Sequence, residues 1–381
     1  MNLDNIRLGL DRVANYLRSG DPNVTGYSRN ELSQYLTVRR YGELVLFNYT
    51  NAAQYRADWN NFLRVCRGLV LDSNGRIVSF PFHKFFNINE YPETDIQMVS
   101  RWSLRSITEK LDGVMIQVFL HEGELVFASR HGIWTRAAKL AKELAVDIEA
   151  ITSRFDFPFT LICELIHPEI WQPGMVQYEQ DLKLLVPLFV RNLNTLELIP
   201  AHEVLGDLPA PYGFAQRYQY NSIQDLVRVA SSYQDADWEG VVFQGMDECG
   251  NQLVKVKSFG YIKRLQIIRG LSPRRLIQVY VQYGMDTVRY LITSLEEVVL
   301  AVPVIRSTIE LLEQEESRLR EEIQRYMLPK DRVMEVPEEW RWVVSYQGTP
   351  KLEMALRSRV ANRVNSIIQP ANQDEDSELE G

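Results

Sequence analysis

The spacing of apolar and polar positions changes twice along this chain. Residues 3–18 and 28–37 repeat their apolar positions at helical intervals. From Glu43 to about Lys257 the pattern becomes short alternating runs, the mark of strands with two unlike faces. Residues 42–49, 68–72, 76–80, 106–110, 114–120, 125–130, 159–166, 183–191, 240–244 and 253–257 read this way. Ser73-Asn74-Gly75 joins two of these runs, and Asn-Gly is a strong hairpin signal. His121-Glu122-Gly123-Glu124 makes a second tight turn, and a helix over 136–151 interrupts the series. Beyond Lys257 helical spacing returns over 260–270, 273–284, 296–328 and 351–368, with Pro303 expected to kink the third of these helices.

Many strands, hairpin turns and few intervening helices predict an α+β fold of antiparallel sheets with flanking helices, followed by an all-helical module. The expected division is residues 1–262, residues 263–369 and a polar, acidic tail over 370–381 with the composition of disorder.

Charge narrows the partners. The net charge of −8 includes five acids in the last ten residues, so the remaining body is only mildly acidic. A nucleic-acid binder of this composition must gather its positive charge into one patch. Residues 255–275 hold Lys255, Lys257, Lys263, Arg264, Arg269, Arg274 and Arg275 with no acid among them. The last five of these are the expected nucleic-acid-binding residues. Cys66, Cys163 and Cys249 lie far apart with no Cys-x-x-Cys pair, which argues against a disulfide framework or zinc knuckle and suits a reducing compartment. No apolar run approaches the ~18–20 residues of a membrane helix, and residues 1–17 lack a signal-peptide pattern; a cytoplasmic protein is expected.

The candidate chemistry begins at Lys110-Leu111-Asp112-Gly113. An ordinary lysine amine, with a pKa near ~10.4, is a poor nucleophile at neutral pH, and becomes a useful one when desolvated or crowded by other cations. Gly113 lets backbone pass close to whatever the amine attacks. A Lys-x-Asp-Gly string is weak by itself, since it also fits a surface turn. Lys255 and Lys257, two apart in a strand, point the same way. Glu164 stands inside the apolar run Leu161–Ile166, where an unpartnered carboxylate is costly. Glu239 begins another apolar run. Upstream, Arg67 and Lys84 bracket a hairpin, and Phe86 and Asn87 follow. The five histidines have no metal-ligand spacing and read as structural or exposed, and no glycine-rich Walker loop is present.

In combination, the order Arg-Gly, Lys-Phe-Phe-Asn, Lys-x-Asp-Gly, Glu, Glu-Gly, Lys-x-Lys resembles the covalent nucleotidyltransferases. Cys66–Val70 and Lys84–Asn87 resemble the bacteriophage RNA ligase 1 family in particular, over about residues 62–262. The resemblance implies an ATP-dependent RNA ligase with Lys110 as nucleophile. It implies ATP contacts from Arg67, Lys84, Phe86, Glu109, Gly113, Arg130, Glu164, Glu239, Lys255 and Lys257, with Arg130 where the family has a lysine. Glu239 and Glu164 are the implied ligands of Mg²⁺ (or Mn²⁺), and Lys110, Glu239, Lys255 and Lys257 the catalytic set. The implied substrate is RNA with 5′-phosphate and 3′-hydroxyl ends, tRNA among the candidates, in RNA repair, with Lys263, Arg264, Arg269, Arg274 and Arg275 as the expected RNA-binding residues. A capping-type guanylyltransferase or a DNA ligase would be expected to continue into an all-β domain after Lys257. A catalytically dead RNA-binding scaffold should have lost Lys110 or a motif lysine.

Overall fold

The structure, a computed structural model, describes residues 1–56, 58–171, 175–206, 208, 211–235, 237–248, 250–270, 272–286, 288–289, 303–327 and 335–378. The chain divides into two compact units, Met1–Ile262 and Lys263–Gly381.

The first unit is built on three antiparallel sheets. β1 (Leu36–Tyr41), β2 (Leu44–Tyr49), β3 (Arg67–Asp72) and β4 (Ile77–Ser79) form a four-stranded meander in chain order. β5 (Ser103–Glu109) pairs with β11 (Gly240–Asp247), which pairs in turn with β12 (Gly250–Lys257). β6 (Val114–His121), β7 (Glu124–Ser129), β8 (Phe159–Ile166), β9 (Leu184–Asn192) and β10 (Leu198–Pro200) form a five-stranded sheet in the order β10-β9-β8-β6-β7. Helix Leu3–Ser19 and the short helix Asn61–Val65 cover the first sheet, with Leu10, Val13, Phe62, Leu63, Phe47 and Leu71 in one core. Helix Arg136–Leu144 packs Ala138 and Leu140 on the five-stranded sheet, and helix Ile223–Ser232 packs Leu226 on the three-stranded one. A separate cluster of Phe82, Phe85, Met115, Ile162, Phe189 and Leu253 unites residues of β6, β8 and β9 with β12. The chain passes from the three-stranded to the five-stranded sheet through residues 110–113, so the candidate nucleophile sits on that crossing.

The second unit contains helices Pro273–Tyr283, Pro303–Arg325, Arg341–Tyr346 and Pro350–Glu378, with a core that includes Leu276, Tyr280, Leu312, Leu319, Leu356 and Val360. The architecture is the α+β arrangement with helices at the C-terminal end.

Local expectations differ in places. The helix expected over 28–37 ends at Tyr35, because Leu36 already pairs with Tyr49 in a sheet. The helix expected over 136–151 is two helices, broken where Asp147 adopts the left-handed region at φ 56°. Pro303 is the first described residue of helix Pro303–Arg325, and the kink expected there involves residues 296–302, which lie outside the described residues. Where disorder is expected from 370, the backbone continues as helix through Pro370 to Glu378, forgoing the one hydrogen bond that proline cannot donate. β1 and helix Ile223–Ser232 were not expected at all. No helix among the described residues is long and apolar enough to cross a membrane.

Candidate active site

Strand register assembles the centre. β11 lies between β5 and β12, with Val241 opposite Glu109 and Gly240 opposite Lys257. The backbone N–H of Lys110 donates to the carbonyl of Gly240 at 2.9 Å, which continues the β5–β11 pairing one residue further. Glu239 is thereby brought between two lysines from the flanking strands. Lys110 Nζ donates to Glu239 Oε2 at 2.6 Å, and Lys257 Nζ to Oε1 at 2.9 Å. Two glycines allow the approach. A Cβ on Gly240, which has φ 133°, would stand 2.1 Å from the Val256 carbonyl oxygen, and one on Gly113 would stand 2.3 Å from that of Leu165. No side chain fits at either position.

Electrostatics follow from this contact. Burial alone would lower the Lys110 pKa, but Glu239, then Glu164, more than reverse it, so the free amine is held as ammonium. Burial would raise Glu239, and Lys110 and Lys257 overcome that to leave it ionised. Glu164 accepts the Gly113 N–H at 3.1 Å, and burial pushes its carboxyl up to about 7.

Beside this centre is a cavity of about 380 Å³. Its lining includes Arg67, Glu109, Lys110, Gly113, Arg130, Glu164 and Lys255 from the expected set. Lys255 projects from the same face of β12 as Lys257, while Val254 and Val256 point into the core. Its ammonium lies 4.3 Å from the centre of the Phe85 ring. Burial, then Arg67 and Lys110, drive its pKa well down.

Glu239, Lys257, Lys84 and Phe86 are not among the residues that line it. Lys84 is 5% exposed, with its amine 5.1 Å from the ring centres of Trp59 and Phe86 and 5.9 Å from that of Tyr49. Phe86, expected at the nucleotide, is instead stacked on Tyr91 at 4.4 Å and forms part of this aromatic box. Burying three aromatic faces around one amine outweighs exposing the ring to a ligand. Arg67, Lys84, Arg130 and Lys255 form no ion pair with a carboxylate among the described residues, whereas Lys110 and Lys257 share one.

Three contributors escape the sequence reading. The Tyr49 hydroxyl accepts from Arg130 Nη1 at 3.3 Å; burial would raise its pKa, but Arg67, Arg130 and Lys84 bring it below the ordinary value. His131 lines the cavity, and burial, then Arg130, lower its pKa to about 4, so the ring is neutral near pH 7. The Tyr261 ring lies 4.8 Å from the Lys257 amine. None of the three belongs to a distinctive string; the only available signal was an aromatic near a motif.

Of the expected RNA-binding residues, Arg274 and Arg275 are exposed on helix Pro273–Tyr283, which Ser272 caps by accepting the Arg275 N–H. Lys263 is exposed and Arg264 half-buried, while the Arg269 side chain lies outside the described residues.

A family model described as RNA ligase matches residues 65–261. A Thermovibrio ammonificans protein whose name proposes an RNA ligase is 25% identical over 275 residues, 69% of this chain and 70% of that protein. RNA ligase 1 of bacteriophage TS2126 is 34% identical over 128 residues, 31% of this chain and 32% of the phage protein, so the match spans about a third of that relative. Among solved structures, an archaeal ATP-dependent RNA ligase gives a TM-score of 0.44 at 16% identity, covering 78% of this chain and 81% of that one.

Proposed function

The chain belongs to the RNA ligase family, and from that premise we propose that it seals RNA 5′-phosphate and 3′-hydroxyl ends with ATP, through a lysyl-AMP and an RNA-adenylate. Lys110 attacks the α-phosphorus, the bond to pyrophosphate breaks, and the amine proton leaves as the phosphoramidate forms. The RNA 5′-phosphate then displaces Lys110 and takes the AMP. Finally the 3′-oxygen bonds to that phosphorus, AMP departs, and the hydroxyl proton is released.

The observation that carries this reading is the division of charge: a lysine clamped by one buried carboxylate, beside a cavity with cations that have no carboxylate partner. A triphosphate answers those cations, since phosphoryl transfer depends on position and charge stabilisation. Arg67, Lys84 and Arg130, with Tyr49 among them, suit the β- and γ-phosphates. Lys255 and Lys257 suit the α-phosphate and the leaving oxygen. Glu109, Gly113 and Glu164 suit the nucleoside.

No cluster of three carboxylate, histidine or cysteine side chains that could hold a metal occurs among the described residues. This fits Mg²⁺ or Mn²⁺, which can be held by one or two carboxylates together with substrate phosphates. Glu164 and Glu239 would hold it, Glu164 first, because both oxygens of Glu239 already accept from ammonium groups. When bound, the ion supplies charge neutralisation at the phosphates. Exposed Arg274 and Arg275 suit an RNA backbone, such as that of a tRNA undergoing repair, with the helical unit selecting the substrate.

Incubation with α-labelled ATP and a divalent metal, followed by denaturation and peptide mapping, tests the assignment. The label is expected on Lys110 without RNA present and absent from Lys110→Arg, whose guanidinium stays protonated. Labelling elsewhere, or labelling by GTP in preference to ATP, overturns it.

A further inference from the structure

A second cavity, of about 440 Å³, meets the first at Gly113. It is lined by Asp112 of the nucleophile turn and by residues of the connection between β8 and β9, among them His167, Trp171, Tyr178, Glu179 and Gln180. The turn and this connection are tied together: Asp112 Oδ2 accepts the Val176 N–H at 2.8 Å, and the Asp112 N–H donates to the Tyr178 hydroxyl at 2.9 Å. The cavity wall is therefore fixed to the residues that carry Lys110. The volume falls within the range of small-molecule sites.

The chemistry of the lining is opposite to that of the first cavity. Among the described residues it contains no lysine or arginine, and two carboxylates, Asp112 and Glu179. A phosphate placed there would meet like charge without a counter-cation. The walls include instead the aromatic residues Trp171, Tyr178 and His167, and aromatic side chains stack on a base of any identity. Carboxylate and amide oxygens accept from sugar hydroxyls. The indole N–H of Trp171 is buried with no acceptor among the described residues.

We infer that this cavity holds the 3′-terminal nucleoside of the RNA strand that supplies the hydroxyl. The inference rests on the ligase reading above. Of the two ends to be joined, the other brings a 5′-phosphate and, once activated, a whole adenylate. The 3′-hydroxyl end alone presents a base and two free hydroxyls with no terminal phosphate. Trp171 and Tyr178 hold its base, Glu179 and Gln180 accept from its polar edge, and the bracing through Asp112 sets that end beside the lysine turn. The three stages of the reaction then use two adjoining cavities of unlike charge, one for the anionic partners and one for the neutral end.

The test uses the full chain, an RNA donor already carrying a 5′-adenylate, and no ATP, so that only the final step is read. The acceptor is an oligoribonucleotide ending either in an ordinary nucleoside or in an abasic ribose. Wild type is expected to show an acceptor KM about tenfold higher for the abasic end, the order of one lost stacking contact. Trp171→Ala is expected to raise the KM of the ordinary acceptor similarly and to lose nothing further with the abasic one, while Lys110 still labels with ATP. An unchanged KM in the variant overturns the inference, as do two losses that multiply. If Trp171→Ala no longer labels Lys110, Trp171→Phe, which keeps a stacking ring, is read in the same comparison; the ordinary acceptor is expected to keep its advantage over the abasic one, and equal KM values for the two acceptors there overturn the inference. Failure of wild type to label Lys110 would instead sink the ligase reading.

Discussion

Replacing Glu239 with Gln removes the one negative charge between two ammonium groups. The carboxylate is 2% exposed, and the side chains of Lys110 and Lys257 are each 22% exposed. Stripping a buried pair of one partner costs roughly 3–5 kcal/mol. Both lysines keep some contact with water, so the lower end applies, about 3 kcal/mol. In a domain of this size that corresponds to a fall in Tm of about 6–12 °C. Glu239 lies below its ordinary value of 4.5, so its contribution is present above that pH and is lost as pH falls through the folded value. Lys110 lies above its ordinary value of 10.5, so its contribution is complete below that pH and disappears only as pH rises through the folded value. The loss of Tm should therefore be level between about pH 5 and pH 10 and should shrink in acid. Without Glu239, burial governs the Lys110 amine and its pKa falls. The pH profile of labelling by ATP should therefore move toward acid. Thermal melts by circular dichroism and labelling across a pH series measure both. A Tm change under about 2 °C at pH 7, or a labelling profile that does not move, would refute the clamp.

Lys84→Met keeps the aromatic box filled and removes the charge; self-adenylylation should fall, while sealing of RNA that already carries a 5′-adenylate persists, and equal loss of both would mean that Lys84 serves the fold or the RNA. Glu164 has its pKa raised from 4.5 to about 7, so its stabilising, protonated form is complete below 4.5 and lost as pH rises through 7. Glu164→Gln should thus melt higher than wild type at pH 8, by about 3 kcal/mol at most, and no differently at pH 4; an equal change at both values removes the burial argument. Arg274→Ala with Arg275→Ala should flatten the log–log salt dependence of RNA binding by roughly 0.7 per lost phosphate contact and leave Lys110 labelling intact. An unaltered slope places the RNA surface elsewhere.

The central strands were legible as short apolar runs bounded by turn residues, since β2 and β6 are buried on both faces along most of their length. In Leu253–Lys257 alternation does report a face, and Lys255 and Lys257 project together as period two requires. The Lys110–Glu239–Lys257 contact was only half legible. Each residue stood out, but their meeting depends on β11 lying between β5 and β12, which no local pattern encodes. Phe86 was misplaced for the opposite reason. Its string gave the residue type, while the partners that captured the ring, Trp59 and Tyr91, lie on either side in sequence and in unremarkable surroundings. Tyr49 was invisible, being one strand residue among apolar ones until Arg67 and Arg130 converge on its hydroxyl. What a sequence withholds here is mostly which side chains of separate strands come to face one another.

The resting state also constrains how the reaction can begin. A lysine held as ammonium by a carboxylate 2.6 Å away cannot attack phosphorus. Lowering its pKa needs positive charge near Lys110 or less negative charge at Glu239. The protein's own cations are already in place: Lys255 lowers nothing further, because burial and its neighbours drive it toward the neutral form. The missing charge must therefore arrive with the substrate. A triphosphate by itself would worsen matters, since its negative charge favours the ammonium. A triphosphate carrying a divalent cation would supply that positive charge, with Glu164 as the first residue that would hold the ion while Glu239 keeps its two ammonium partners. On this reasoning ATP without metal should bind in the cavity and leave Lys110 unlabelled at any pH below the range where a free lysine titrates. Metal should then raise the labelling rate far more than it raises ATP affinity. Binding read by calorimetry and labelling read on a denaturing gel, each with and without metal, separate the two quantities. Equal stimulation of both would mean that the ion only carries ATP to the site, and that the proton on Lys110 is removed by some other group.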